Sequence, residues 1–150
     1  MEARGIPMHP IPVIKKLYEK TKIKINQRKP IIISGGVRQG CPISTALFNI
    51  YLDDMMRSWK QQVTGGIHLG SLILKTMAFA DDQILLAKSE NELQRMTHKL
   101  NILAKTYNFE ISKEKTKVMA FRGPHPVRSK ILLENKSIEQ VSKFNFLGVK

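Results

Sequence analysis

AFADDQILLA, residues 78–87, sets two adjacent aspartates, Asp81 and Asp82, inside a run that is otherwise almost wholly apolar. The flanks SLILKTMAFA (71–80) and QILLAK (83–88) are β-prone, and only two residues separate them. That spacing predicts a tight hairpin with the aspartates at its tip. Tight hairpin turns favour Asn-Gly or glycine-containing pairs because φ is positive there, so Asp-Asp is a poor choice for the turn alone. Two neighbouring carboxylates repel unless a cation lies beside them. Oxygen ligands on a rigid tip suit Mg²⁺, which keeps several waters and binds through a few carboxylates plus substrate phosphates. Two such ions can stabilise the attacking and leaving oxygens of a phosphoryl transfer. A plain acidic turn is the alternative that these residues leave open.

Upstream, STALFNIYLDDMMRSWKQQ (44–62) carries Leu47, Ile50, Tyr51, Asp54, Met55 and Ser58 along one stripe and Phe48, Leu52, Met55 and Trp59 along its neighbour. The pattern predicts a helix with a broad apolar face. GVRQGCPIS (36–44) reads as a Gly/Pro-broken loop whose Ser44 caps that helix. A second acidic pair, Asp53-Asp54, falls within the helix, where neighbours point about 100° apart and cannot converge on one ion. It reads as solvated surface, with Asp54 on the apolar stripe and placed to pair with a base. Before the loop, a helix is expected from about residue 11 to Thr21. The strands KIKIN (22–26) and IIIS (31–34) follow, paired across a QRKP turn.

Downstream, Ser89 opens another helix in capping-box form, with Glu92 three residues on. Leu93, Met96, Thr97, Leu100, Leu103, Ala104 and Tyr107 line one face of it. A strand KVMAF (117–121), a loop at 123–128, a hairpin of KILLE (130–134) and KSIEQV (136–141) around Asn135, and a last strand KFNFLGVK (143–150) complete the reading. The order predicts an α+β fold with helices packed on one face of a largely antiparallel sheet.

The chain has 150 residues, 42% of them hydrophobic and 25% charged, which suits one globular domain. Its single cysteine, Cys41, excludes an intrachain disulfide and a cysteine zinc site. A reducing, intracellular setting, nuclear or cytoplasmic, is the expectation. No apolar run reaches the roughly 18 residues of a membrane span, so a membrane is not among the expected partners. The net charge is +13, unevenly spread. Residues 1–40 are net +7, residues 41–104 are neutral and residues 105–150 are net +6. Basic flanks around a neutral middle that holds both Asp pairs fit a polyanion whose reactive part lies near the carboxylates.

Several stretches together resemble one family. FADD (79–82) between apolar strands looks like the motif C hairpin of reverse transcriptases. GVRQGCPISTALFNIYLDDMMR (36–57) resembles motif B, ISKEKTKVM (111–119) resembles motif D, and FNFLG (144–148) resembles motif E, in the family's order. The style is that of non-LTR (LINE-type) retrotransposon enzymes, and the resemblance covers nearly the whole chain. It implies a polymerase palm-like fold. Asp81 and Asp82 would be catalytic metal ligands for Mg²⁺ or Mn²⁺, and Phe79 would sit under the primer end. Arg38, Gln39 and Gly40 would form the loop near template and incoming nucleotide. Lys115 would lie near the triphosphate as a proton donor, with Lys117 its runner-up. Phe146, Leu147 and Gly148 would belong to the primer grip. The implied partners are an RNA template, a DNA primer, dNTPs and the remainder of a parent polyprotein.

Two departures from the pattern stand out. Thr45 occupies the position where the family usually has proline. No apolar strand ending in Asp precedes Gly36, where motif A is expected, since the acids there are Glu2 and Glu19. Residues 1–150 are therefore expected to be a partial domain of the palm, without motif A, fingers or thumb. The expected function is RNA-directed DNA polymerisation by two-metal nucleotidyl transfer in the full-length parent, with little activity from this chain alone. The alternative is a non-catalytic remnant that binds RNA or RNA–DNA duplex.

Overall fold

The structure is a computed structural model, and it describes residues 7–19, 22–23, 31–32, 36–121 and 127–146. The chain divides into two compact units, Met1–Tyr51 and Leu52–Lys150, with the boundary inside the second helix.

In the first unit, helix α1 (Pro10–Tyr18) begins on a proline, whose missing N–H costs nothing at that position. Lys15 and Lys16 occupy its last turn, where the carbonyl end of a helix favours cations. Strands β1 (Lys22–Ile23) and β2 (Ile31–Ile32) pair antiparallel, Lys22 opposite Ile32. The antiparallel pairing is as expected, but Ile23 rather than residue 26 faces Ile31, and residues 24–30 between them lie outside the described residues. Helix α2 (Pro42–Gln62) starts two residues earlier than expected. Pro42 is pre-organised for a first helical position, so Ser44 lies inside the first turn and does not cap. Its buried hydroxyl instead shares a 2.7 Å hydrogen bond with the Tyr18 hydroxyl.

The second unit is built around the C-terminal half of α2 and helix α3 (Glu90–Thr106). Met55, Met56, Trp59 and Val63 pack with Met96, Leu100 and Ala104, and Leu52, Leu85 and Ala87 close over them. Trp59 is wholly buried, and its indole N–H donates to the Met96 carbonyl at 3.0 Å, which satisfies the one polar atom of an otherwise apolar side chain. The Lys75 ammonium donates to two carbonyls at the end of α2, Lys60 at 3.0 Å and Val63 at 2.6 Å. Ser89 caps α3 by accepting from the Glu92 amide. The reciprocal half of the expected capping box does not form. The Glu92 carboxylate instead accepts from the Gly66 amide at 2.6 Å and so ties the segment that follows α2 to α3.

The remaining strands pair locally. β3 (Ile67–Leu69) and β4 (Leu72–Leu74) form a hairpin that the sequence reading missed, and β5 (Thr76–Phe79) and β6 (Asp82–Leu85) form the next one. β8 (Leu132–Leu133) and β9 (Lys136–Ser137) turn through Glu134 and Asn135, both at positive φ, as the expected hairpin around Asn135 requires. β7 (Lys117–Val118) pairs in parallel with β10 (Glu139–Gln140). The single strand expected over 136–141 is therefore divided at Ile138, which is buried in a second cluster with Val118, Ile131 and Leu133.

The fold is thus mixed α+β, but the described strands form five two-stranded pairs rather than one sheet. Three of the pairs are tight hairpins that reverse through residues at positive φ, Gly70, Ala80, and Glu134 with Asn135. Of the last expected strand, over 143–150, the described residues 143–146 hold a bridge at Phe146, and residues 147–150 lie outside the described residues, as does most of the 123–128 loop. Among the described residues no helix is long and apolar enough to cross a membrane.

Candidate functional site

Register places the aspartates. In the β5–β6 hairpin Thr76 faces Leu85, Met77 faces Ile84, Ala78 faces Gln83 and Phe79 faces Asp82. The two-residue loop is therefore Ala80-Asp81, not Asp81-Asp82, and Asp82 is the first residue of β6. Strand alternation puts Phe79 and Asp82 on one face with Met77 and Ile84, and Gln83 on the other with Thr76 and Leu85. The second face turns to the core, where Thr76 is buried and Leu85 packs. The first face is open: Phe79 is 61% exposed and both aspartates are exposed.

The tip is held in an uphill conformation. Ala80 has φ +50°, a left-handed backbone that costs an alanine about 1–2 kcal/mol. The Gln83 carboxamide reaches back and donates to the Ala80 carbonyl at 3.4 Å. The Gln83 Oε1 is buried and has no hydrogen-bond partner. Gln83 escaped the sequence reading, yet its signal was available: a polar residue one position after Asp82 falls in the core-facing register.

Two hard carboxylates side by side on an exposed tip fit Mg²⁺ or Mn²⁺ in kind, because exposure leaves coordination positions for water and phosphate oxygens. Among the described residues no group of three or more His, Cys, Asp or Glu gathers into a cation site. In the other aspartate pair, Asp53 makes a 3.0 Å ion pair with Arg57 one turn along the helix.

The remaining expected residues stand on other elements. Arg38, Gln39 and Gly40 belong to the first unit. The Arg38 guanidinium lies 5.6 Å from the centre of the Tyr18 ring and donates to the Leu17 carbonyl. Gln39 is exposed. Gly40 has φ +79° with open space around it, so the backbone conformation itself calls for glycine. Cys41, next in the chain, has its thiol held below the ordinary value by the hydrogen bond from the Ile43 amide and then by the Ser44 hydroxyl.

In the second unit, Lys115 is exposed on a turn, where its amide donates to the Ser112 hydroxyl. Lys117 is committed, because its ammonium pairs at 2.6 Å with Glu139, its neighbour on β10. Phe146 is half-buried. Leu147 and Gly148 lie outside the described residues. Sequence reasoning also missed Glu134, whose carboxylate bridges Lys105 and Lys113. Lys105 first and Lys113 second hold its pKa down to about 2. The structure thus brings Phe79, Asp81 and Asp82 together on one hairpin, while Lys115 and Phe146 stand on other elements of the second unit.

Comparison with known proteins bears on the whole length. The family model for reverse transcriptase (RNA-dependent DNA polymerase) matches residues 1–150. The chain is 23% identical over 162 residues to the Retrovirus-related Pol polyprotein from type-2 retrotransposable element R2DM of Drosophila melanogaster, covering 99% of the chain and 15% of that protein. It is 28% identical over 143 residues to the Pol polyprotein from type-1 retrotransposable element R2 of Nasonia vitripennis, covering 87% of the chain and 14% of that protein. A 56-residue stretch is 39% identical to the corresponding R2 polyprotein of Popillia japonica, over 37% of the chain and 9% of that protein. The chain therefore spans about one-seventh of the length of the first two relatives.

Proposed function

The chain belongs to the reverse transcriptase (RNA-dependent DNA polymerase) family, and from that premise we propose that it carries part of the palm of an RNA-directed DNA polymerase encoded by a non-LTR retrotransposon. The observation that carries the reading is the β5–β6 tip, where Asp81 and Asp82 stand adjacent and exposed beside Phe79. Asp81 and Asp82 would hold Mg²⁺ or Mn²⁺. Bound there, the divalent ions would neutralise the charge that develops on attacking and leaving oxygens in nucleotidyl transfer.

The protein's own residues have the complementary tasks. Phe79, on the same open face as Asp82, would support the primer end. Arg38, Gln39 and Gly40 would face template and incoming nucleotide. Lys115, exposed on its turn, would deliver a proton to the departing pyrophosphate. Phe146, Leu147 and Gly148 would grip the primer. The substrates would be RNA template, DNA primer and dNTPs, handled within a larger polyprotein inside the cell, in nucleus or cytoplasm.

A second reading is favoured by one fact: the chain carries a net charge of +13, concentrated in its two flanks. A basic remnant of this kind would bind RNA or RNA–DNA duplex without catalysis, with an affinity that falls steeply with salt.

Primer extension and duplex binding separate the two. Asp81→Ala in the full polypeptide should lower Mg²⁺-dependent extension by about two orders of magnitude or more, because metal-held charge stabilisation carries most of such a step. Extension that survives the substitution would overturn the role of Asp81 as a metal ligand, and a parent that does not extend a primer would overturn the polymerase reading. Duplex binding that holds or tightens in Asp81→Ala, with no extension by the parent, would establish the binding module.

A further inference from the structure

We propose that Gln83 is a positioning residue that sets the geometry of the metal-binding tip from its core-facing side. The inference rests on the reading of Asp81 and Asp82 as metal ligands and names a residue that acts through them.

Three observations meet at this residue. Ala80, whose carbonyl belongs to the loop peptide before Asp81, has φ +50°, a backbone conformation that an alanine does not favour. The Gln83 carboxamide is the side chain that donates to the Ala80 carbonyl, at 3.4 Å, and so restrains rotation of that peptide. The same carboxamide leaves its Oε1 buried without a hydrogen-bond partner. A buried acceptor without a donor destabilises the fold. An apolar side chain in the register of Leu85 would avoid that penalty, so stability alone does not account for glutamine here. What the glutamine does is hold the peptide that precedes Asp81. If that peptide rotates, the Asp81 backbone swings and its carboxylate moves relative to Asp82. Gln83 lies on the face opposite Asp82 and therefore restrains the tip without occupying a coordination position.

The test is titration of the 150-residue chain with Mn²⁺, read by the electron paramagnetic resonance signal of the free ion, alongside thermal melting. The proteins are the parent, Gln83→Met and Asp81→Ala. Methionine matches the length and volume of glutamine but cannot donate. Gln83→Met should weaken Mn²⁺ binding about tenfold, as loss of a supporting shell does, while its melting temperature holds or rises. Unchanged affinity in Gln83→Met would overturn the proposal. So would a joint fall in affinity and melting temperature, which marks a purely structural role. Mn²⁺ binding that does not depend on Asp81 would overturn the metal-site reading itself, and this failure shows in a different variant.

Discussion

Phe79 and Asp82 face each other across the last rung of the β5–β6 hairpin. This single pairing decides the geometry of the tip. It confines the loop to Ala80 and Asp81, aligns Asp82 with an exposed aromatic ring, and sends Gln83 to the opposite face. A shift of one residue would exchange those faces.

The loop carries a conformational cost at Ala80, and glycine should relieve it. Ala80→Gly removes about 1–2 kcal/mol of left-handed strain and adds about 0.5–1 kcal/mol of chain flexibility, so the net effect is a modest stabilisation. Ala80 is exposed, so no packing is lost. Denaturant unfolding should show a higher midpoint at unchanged slope, and a lower midpoint would refute the strain.

Trp59 is the keystone of the α2–α3 packing. Trp59→Phe loses the hydrogen bond to the Met96 carbonyl and leaves a small cavity, together costing about 2 kcal/mol. Equilibrium unfolding monitored by circular dichroism measures it. A cost near zero would mean that the indole is not seated as described.

Glu134 makes acid stability predictable in sign. Lys105 and Lys113 depress its carboxyl pKa from 4.5 to about 2 in the folded chain. The stabilisation is present above pH 4.5 and is lost as pH falls through about 2. Glu134→Gln should be less stable than the parent near neutrality, with the gap closing across that window. Thermal melts of both proteins from pH 6 to pH 2 provide the comparison, and a gap that stays constant would rule out the linkage. The carboxylate is on the surface, so added salt should narrow the gap at neutral pH.

The two candidate lysines of the 111–119 stretch should separate in function. Lys117 is tied to Glu139, and that pair is exposed on the glutamate side, so Lys117→Met should cost little stability and leave extension near the parent level. Lys115→Met, in the full polypeptide, should lower extension by about 100-fold, the contribution typical of a general acid. Equal losses in the two variants would remove the reason to prefer Lys115.

Parts of this fold were legible in the order of residues. The buried face of α3 follows from helical spacing, and Met96, Thr97, Leu100 and Ala104 are buried as that spacing predicts. Ser89 announces the start of the same helix, and Asn135 announces a turn. Other features depend on partners distant in the chain. Glu92 has the sequence form of a reciprocal cap, but the Gly66 amide 26 positions earlier takes its carboxylate. Lys75 looks like any strand lysine until the end of α2 is brought to it.

By itself, then, the sequence determined what is local or compositional. That includes the helices with their apolar stripes, the existence of a tight hairpin around two aspartates, the strongly basic charge, and a motif order that identified the family. These signals survive without coordinates because they arise from backbone periodicity, turn chemistry and residue type. Only the tertiary structure decided which residue stands at the tip, which face Asp82 shares with Phe79, where Gln83 points, and which of Lys115 and Lys117 is already paired. Those outcomes depend on strand register and on contacts between distant segments, and a one-residue shift in register reverses the facing of every side chain.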